Sequence, residues 1–286
     1  LNLLTLTLSA TLLASTNKAA AGSPPSFHIE RIGLKEGLSN SEVRCIYQDR
    51  HGFLWFGTYD GLNRYDGFDF RIYRNKPDNA RSIVHSYVNC ITEDIDNNIW
   101  VGTRQGVSKL NPLTEKFTTL TASEGSSAPF QIQTYIRDII PGVNGAMYVA
   151  SLGNGLIVFE KGSNKGDLIP LRMPTRSPWN YDVDAILKLS NGKIYLMING
   201  VGLCEFSPSK RTIYLVSPTV TICTSLYQEG VGLWVGTTQG LYYFNLYSNK
   251  YDRLLDETNT GFRSNRITSM QSMPDGNLWV GTDGGG

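Results

Sequence analysis

Short apolar bursts separated by polar turns run the length of the chain, and no stretch sustains the 3.6-residue period of an amphipathic helix. The bursts recur in a fixed order. An apolar pair three residues apart comes first: Val43/Ile46, Val88/Ile91, Ile136/Ile139, Val183/Ile186, Cys223/Leu226 and Ile267/Met270. A polar turn such as "QDRHG", "EDIDNN" or "MPDGN" follows, with the chemistry of hairpins. An aromatic comes next, at Trp55, Trp100, Tyr148, Tyr195, Trp234 and Trp279, with successive spacings of 45, 48, 47, 39 and 45 residues. Six or seven residues beyond it stands a glycine: Gly61, Gly106, Gly155, Gly202, Gly240 and Gly285. In five units a second apolar pair follows, Leu62/Tyr65, Val107/Leu110, Leu156/Phe159, Leu203/Phe206 and Leu241/Phe244. Several units then add an outer segment with strand character, among them "DFRIYR", "KFTTLT" and "RTIYLV".

Each unit therefore predicts about four short strands joined by turns, and four-stranded units of roughly 40–50 residues are the signature of propeller blades. One such sheet cannot bury both faces alone, whereas stacking blades around an axis does. The aromatic of the second strand then wedges between sheets. The glycine two residues later (Gly57, Gly102, Gly236, Gly281) suits a close backbone approach. The expected fold is all-β, a β-propeller with six repeats present, the last incomplete, as part of a seven-bladed ring. The sixth unit stops at "WVGTDGGG", before its third strand, so the chain reads as a fragment of a longer protein with its last half-blade the least stable part.

Composition narrows the function classes. Lys+Arg 26 against Asp+Glu 25 gives a net charge of +1 with no basic stripe, so the footprint of a nucleic-acid binder is missing. Cys45, Cys90, Cys204 and Cys223 are widely spaced and form no CxxC, and the first two share a place in the repeat. They read as buried small side chains, with disulfides left open in an oxidising compartment. Residues 1–22 resemble the back half of a secretory signal peptide, with a buried first strand as the alternative; 23–26 form a linker, and 27–286 the partial propeller, led by a strand-like "FHIERI". No other apolar run is long enough to span a bilayer.

The stretch "GLSNSEVRCIYQDRHGFLWFGTYDGLNRYDGFDFRIYRNKPDN" at 37–79 resembles the two-component regulator propeller repeat. The match runs through Gly37, Leu38, Ser39, Val43, Ile46, Asp49, Gly52, Leu54, Trp55, Gly57, Thr58, Gly61, Leu62 and Tyr65. The second, fifth and sixth units match well, while the third and fourth lose the Trp and the Gly-Thr pair. The resemblance implies a sensor: the extracytoplasmic, periplasmic part of an inner-membrane hybrid two-component receptor of Bacteroides-type bacteria, many of which respond to glycans. The kinase activity, and the membrane span, of such a parent would lie in segments outside this sequence. An oligosaccharide ligand and a homodimer formed through the full-length receptor are the partners it implies.

Other chemistry is weaker. A phosphate cradle needs a glycine loop opening a helix, whereas these glycines lead into more strand pattern. "DRHGFLW" resembles the Asp-box of sialidase propellers, a structural turn. A propeller lyase or glycosidase, and a pure protein-interaction scaffold, stay as alternatives. His28, His51 and His85 suggest no metal site, no cofactor is implied, and "DIDNN" at 94–98 reads as a hairpin turn rather than a calcium loop. The loops between second and third strands would ring one mouth of the channel. They offer Tyr59, Asp60, Arg104, Gln105, Asn154 and Gln239 as candidate ligand or partner contacts, against the plainer reading of ordinary loop residues. Trp179 and Tyr181, in the off-pattern "SPWNYD", are either rim contacts or packing beneath a long connection.

Overall fold

The computed structural model describes residues 31–172, 177–273 and 276–284; the signal-like segment, the linker, most of "FHIERI" and Gly285 lie outside them. Each repeat contributes an antiparallel sheet with its strands in sequence order, and the third sheet is extended to six strands by Thr121–Ser123 and Phe130–Gln131. Blade 1 comprises Val43–Gln48, Leu54–Thr58, Gly61–Tyr65 and Phe70–Tyr73, and blade 2 comprises Val88–Glu93, Ile99–Thr103, Gly106–Asn111 and Lys116–Thr119. Blade 3 runs through Ile136–Pro141, Met147–Ser151, Leu156–Phe159 and Lys165–Leu168. Blade 4 uses Val183–Lys188, Ile194–Ile198, Gly202–Ser207 and Thr212–Ser217, and blade 5 uses Ser225–Glu229, Gly232–Gly236, Leu241–Asn245 and Lys250–Leu255. The hairpin Ile267–Ser272 and Leu278–Thr282 forms what is described of blade 6. First strands of consecutive blades are neighbours from blade 1 to blade 6, which puts them innermost.

Among the described residues, apolar burial is divided among five cores, each lying between two successive blades. Trp55 packs with Val88, Ile91 and Leu110 of blade 2, and Tyr148 with Val183, Ile186 and Phe206 of blade 4. The second-strand aromatic thus faces the following blade. Strands covered on both faces lose their alternation, so Ile99–Thr103, Met147–Ser151 and Ile194–Ile198 are buried throughout. The two outer faces of the series show the converse. Ile46 is 63% exposed where Ile91, Ile139 and Ile186 are buried, and Trp279 is 62% exposed where the five earlier aromatics are buried.

The polar turns are tied to the aromatics. The Trp55 indole N–H donates to Asp49 Oδ2 at 2.8 Å, while Asp49 Oδ1 accepts the N–H groups of His51 and Phe53 at 2.9 and 3.0 Å. Blade 2 repeats this with Trp100 and Asp94 at 2.8 Å, and the N–H groups of Asp96 and Asn98 at 2.9 and 2.8 Å. "DIDNN" is therefore a hairpin whose first carboxylate is already engaged. In blade 5 Glu229 takes the indole of Trp234 at 2.7 Å. The longer side chain serves the same role from one residue nearer.

Three features depart from the simple repeat. The chain divides at the end of the outer segment "KFTTLT": Lys116–Thr119 pairs within blade 2, and the next strand, Thr121–Ser123, pairs in parallel with Lys165–Leu168 of blade 3, so consecutive strands link the two blades. First strands carry a bulge at the same place, between Val43 and Cys45, Val88 and Cys90, Ile136 and Asp138, Val183 and Ala185, and Ile267 and Ser269. A bulge re-aims a side chain locally. Finally, the left-handed residue closing the last turn of a blade reaches back to its predecessor. Glu115 (φ 55°) pairs with Arg64 and Arg71 of blade 1, and Arg211 (φ 50°) pairs with Glu160 and Asp167 of blade 3. The clamp is the same with its charges exchanged.

Candidate functional site

Antiparallel pairing of Val43 with Thr58 brings the start of the first strand and the loop between second and third strands to one end of the blade. Two kinds of backbone bond hold this mouth. Within a blade, Arg104 N–H donates to Tyr87 O at 3.1 Å and Leu152 N–H to Tyr135 O at 2.9 Å. Between blades, Gly61 N–H donates to Ser86 O at 2.7 Å and Gly106 N–H to Thr134 O at 3.0 Å. Gly106 is required there, since its φ is +111° and a Cβ would stand 2.3 Å from Ile132 O. The turn itself is closed by a buried hydroxyl: Thr58, Thr103 and Thr237 donate to Gly61 O, Gly106 O and Gly240 O at 3.0, 2.8 and 2.9 Å.

On this scaffold sits an arc of aromatic and planar polar groups from blades 1 to 4. Tyr59 meets Tyr87 edge-on with ring centres 4.2 Å apart, and Tyr135 follows at 6.0 Å from Tyr87. The Tyr135 hydroxyl donates to Asn89 Oδ1 at 2.5 Å, and the Asn89 amide donates to Ile136 O at 2.8 Å. Arg44 lies in the field of Tyr87, Tyr135 and Tyr59. Arg137 stacks over the Tyr135 ring at 5.6 Å and reaches Asp184 at 3.9 Å, where the Asn199 amide donates at 3.2 Å. Burial raises the Asp184 carboxyl above its usual range against the pull of Arg137, and burial likewise raises the Tyr87 phenol.

The loop residues named from the sequence are placed unevenly. Tyr59 is 44% exposed and opens the arc. Asp60 is held by Arg74 through two bonds of 3.0 and 2.9 Å, so its carboxylate is engaged within its own blade. Arg104 and Gln105 are exposed at the rim; Arg104 stands near His85, whose pKa falls through burial first and that guanidinium second. Asn154 is half-buried beside Gly153, whose N–H donates to Asp182 Oδ1 at 2.7 Å. Gln239 lines a separate hollow of about 190 Å3 with Thr219 and Tyr242. Trp179 packs on the core between blades 2 and 3. Tyr181 is 2% exposed, donates to Ile169 O at 2.6 Å and accepts Leu156 N–H at 3.1 Å, which makes it packing beneath the long connection rather than rim.

Arg44, Tyr87, Asn89, Tyr135, Arg137 and Asp184 were not singled out from the sequence. A signal existed. They flank the first apolar residue of each pair, where the repeat frame is constant and these positions change from unit to unit: Glu42/Arg44, Tyr87/Asn89, Tyr135/Arg137, Asp182/Asp184.

Two residues past the first apolar position of each unit, the small Cys45, Cys90, Ala185, Ser225 and Ser269 are replaced in blade 3 by Asp138. Among the described residues its carboxylate accepts one hydrogen bond, from the Ile139 N–H at 2.8 Å, and burial raises its pKa to about 6. The neutral acid is therefore favoured by the fold. Stability is unaffected below the unfolded value near 4 and falls as pH rises through about 6. Because part of the residue stays accessible to water, the effect is discounted to about 1–2 kcal/mol. Asp138→Asn should stabilise the chain by that amount at pH 7.5 and not at pH 4, as read by urea unfolding at the two values.

Residues 37–60, 82–105 and 261–284 match the two component regulator propeller family. A 48-residue stretch, 17% of the chain, is 56% identical to Histidine kinase P4 of Formosa agariphila and spans 4% of that protein. In fold, the chain is similar over 90% of its length to the extracellular domain of a hybrid two component system from B. thetaiotaomicron (TM-score 0.60, 22% identity), spanning 41% of that structure. It is also similar over 86% of its length to virginiamycin B lyase from Staphylococcus aureus (TM-score 0.59, 14% identity), spanning 79% of it. The chain thus spans about two fifths of the extracellular domain it resembles, and a far smaller part of the kinase.

Proposed function

Since the chain carries two-component regulator propeller repeats, we propose that it is the extracytoplasmic recognition module of a hybrid two-component receptor, and that the mouth formed by blades 1 to 4 meets a glycan. The observation that carries this reading is the arc itself. Tyr59, Tyr87 and Tyr135 come from three successive blades, are joined by Arg44, Asn89 and Arg137, and share one face. An exposed aromatic edge beside planar donors suits a sugar, whose C–H face packs on a ring while its hydroxyls take directional bonds. Signalling would pass through parts of the receptor outside this sequence. Nothing in the arc needs a nucleophile or a metal, and the mouth is a binding surface in this account.

Calorimetry of the chain with a panel of oligosaccharides tests it. One member should bind, and Tyr59→Ala should weaken that binding about tenfold, about 1.4 kcal/mol, with the fold retained in a thermal melt apart from the small loss of the Tyr59–Tyr87 contact. Turnover of any member would favour a propeller enzyme, consistent with the lyase likeness in fold. Silence across the panel would favour a protein-interaction scaffold.

A further inference from the structure

Charge around the mouth is divided by sector. Arg44 is exposed on the first strand of blade 1, and its one ion partner among the described residues is Glu42, itself exposed and 3.9 Å away. Arg104, exposed at the rim of blade 2, has no carboxylate partner among the described residues. Apart from Glu42, which also lies in the field of Tyr59, the acids along the arc are already committed. Asp60 is held by Arg74, Asp182 accepts the Gly153 N–H at 2.7 Å, and buried Asp184 is shared by Asn199 and Arg137. The three tyrosines lie on the side of the mouth where the guanidinium groups outnumber free carboxylates.

A guanidinium presents a planar fork that matches a carboxylate or sulfate in two parallel bonds, which a hydroxyl cannot reproduce. A neutral ligand covering Arg44 would remove water from a cation and return one weak acceptor in exchange. Resting on the reading of the mouth as a sugar-binding surface, we infer that its ligand is an anionic saccharide, with its ring against Tyr59 and a carboxylate or sulfate ester on Arg44. Arg104 adds attraction at the rim, which acts at range and weakens with salt.

The test is calorimetry of the chain with a galacturonate tetramer, the same tetramer reduced to its neutral form, and a sulfated galactose tetramer. An anionic tetramer should bind at least about tenfold more tightly than the reduced one, and the difference should shrink as salt is raised. Whichever anion wins identifies the oxyanion. Arg44→Gln should erase the preference, bringing the charged and reduced tetramers to within about twofold of each other, and Arg104→Gln, whose side chain has no carboxylate partner among the described residues, should reduce it in part at unchanged melting temperature. Equal binding of charged and neutral tetramers, still weakened by Tyr59→Ala, would overturn the anionic inference and leave the sugar-binding mouth standing. Binding of none of the three overturns the inference, and the wider neutral panel then decides the mouth reading separately. An anion preference that survives both arginine substitutions would also sink it.

Discussion

Gly102→Val is expected to cost about 3 kcal/mol or more, a large share of the roughly 5–15 kcal/mol that holds a protein of ordinary stability folded. A Cβ at Gly102 would stand 2.3 Å from Cys90 Sγ and 2.7 Å from Ile136 Cγ2, closer than any such contact can be. Cys90 lies opposite in the same blade, while Ile136 begins the first strand of the next. The same squeeze recurs at Gly57, between Cys45 Sγ at 2.4 Å and Val88 Cγ1 at 2.6 Å. Blade 4 shows how the space can be redistributed, for there Ala185 lies opposite Met197 and the large side chain is on the other strand. Adding Cys90→Ala to Gly102→Ala should therefore recover part of the loss of Gly102→Ala alone. Urea unfolding of the four proteins in that cycle measures the coupling, and strictly additive losses would show that the two positions do not share one space.

Trp100→Ala should cost about 3–5 kcal/mol, whereas Trp279→Ala should stay within about 0.5 kcal/mol. The two residues hold the same place in the repeat. Trp100 is 2% exposed, packs edge-on against Phe159 of blade 3 at 5.2 Å, and gives its indole N–H to Asp94. Removing it opens a cavity between blades and strips one partner from a buried carboxylate. Trp279 is 62% exposed, with no described sheet on the side it faces. Thermal melts of both variants separate the contribution of the residue from that of its surroundings. Similar losses at the two sites would mean that the aromatic acts mainly within its own hairpin.

Much of the fold was legible because a blade is a local object. The aromatic, the acid that caps its hairpin, and the glycine that closes the next turn all lie within one unit, so their order along the chain reports their contacts directly. The glycine two residues past the tryptophan was legible for the same reason, as crowding at the inner strands repeats from blade to blade. Departures arise where blades meet. "KFTTLT" reads as one outer strand, yet the chain leaves blade 2 after Thr119, and Thr121 with the two residues beyond it pairs with residues 165–167 of the following blade. Glu115 and Arg211 resemble turn residues until the neighbouring sheet supplies their counter-charges.

The candidate site divides along the same line. Tyr59 and the rim position of Arg104 followed from the loop pattern, but Asp60 could not be known to be held by Arg74, fourteen residues on and just past the outer strand. Tyr181 shared its off-pattern stretch with Trp179, and only packing shows its ring against Gly155 and its hydroxyl bonded on both sides. By itself the sequence determined the repeating unit, the turn chemistry and the face on which the second-to-third strand loops open, because each rests on hydrogen bonds and packing within some tens of residues. Only the tertiary structure decided that Arg44, Tyr87 and Tyr135 converge. They stand one blade apart, at positions the repeat leaves unconstrained, and the bulge and the stacking of sheets bring them to one mouth.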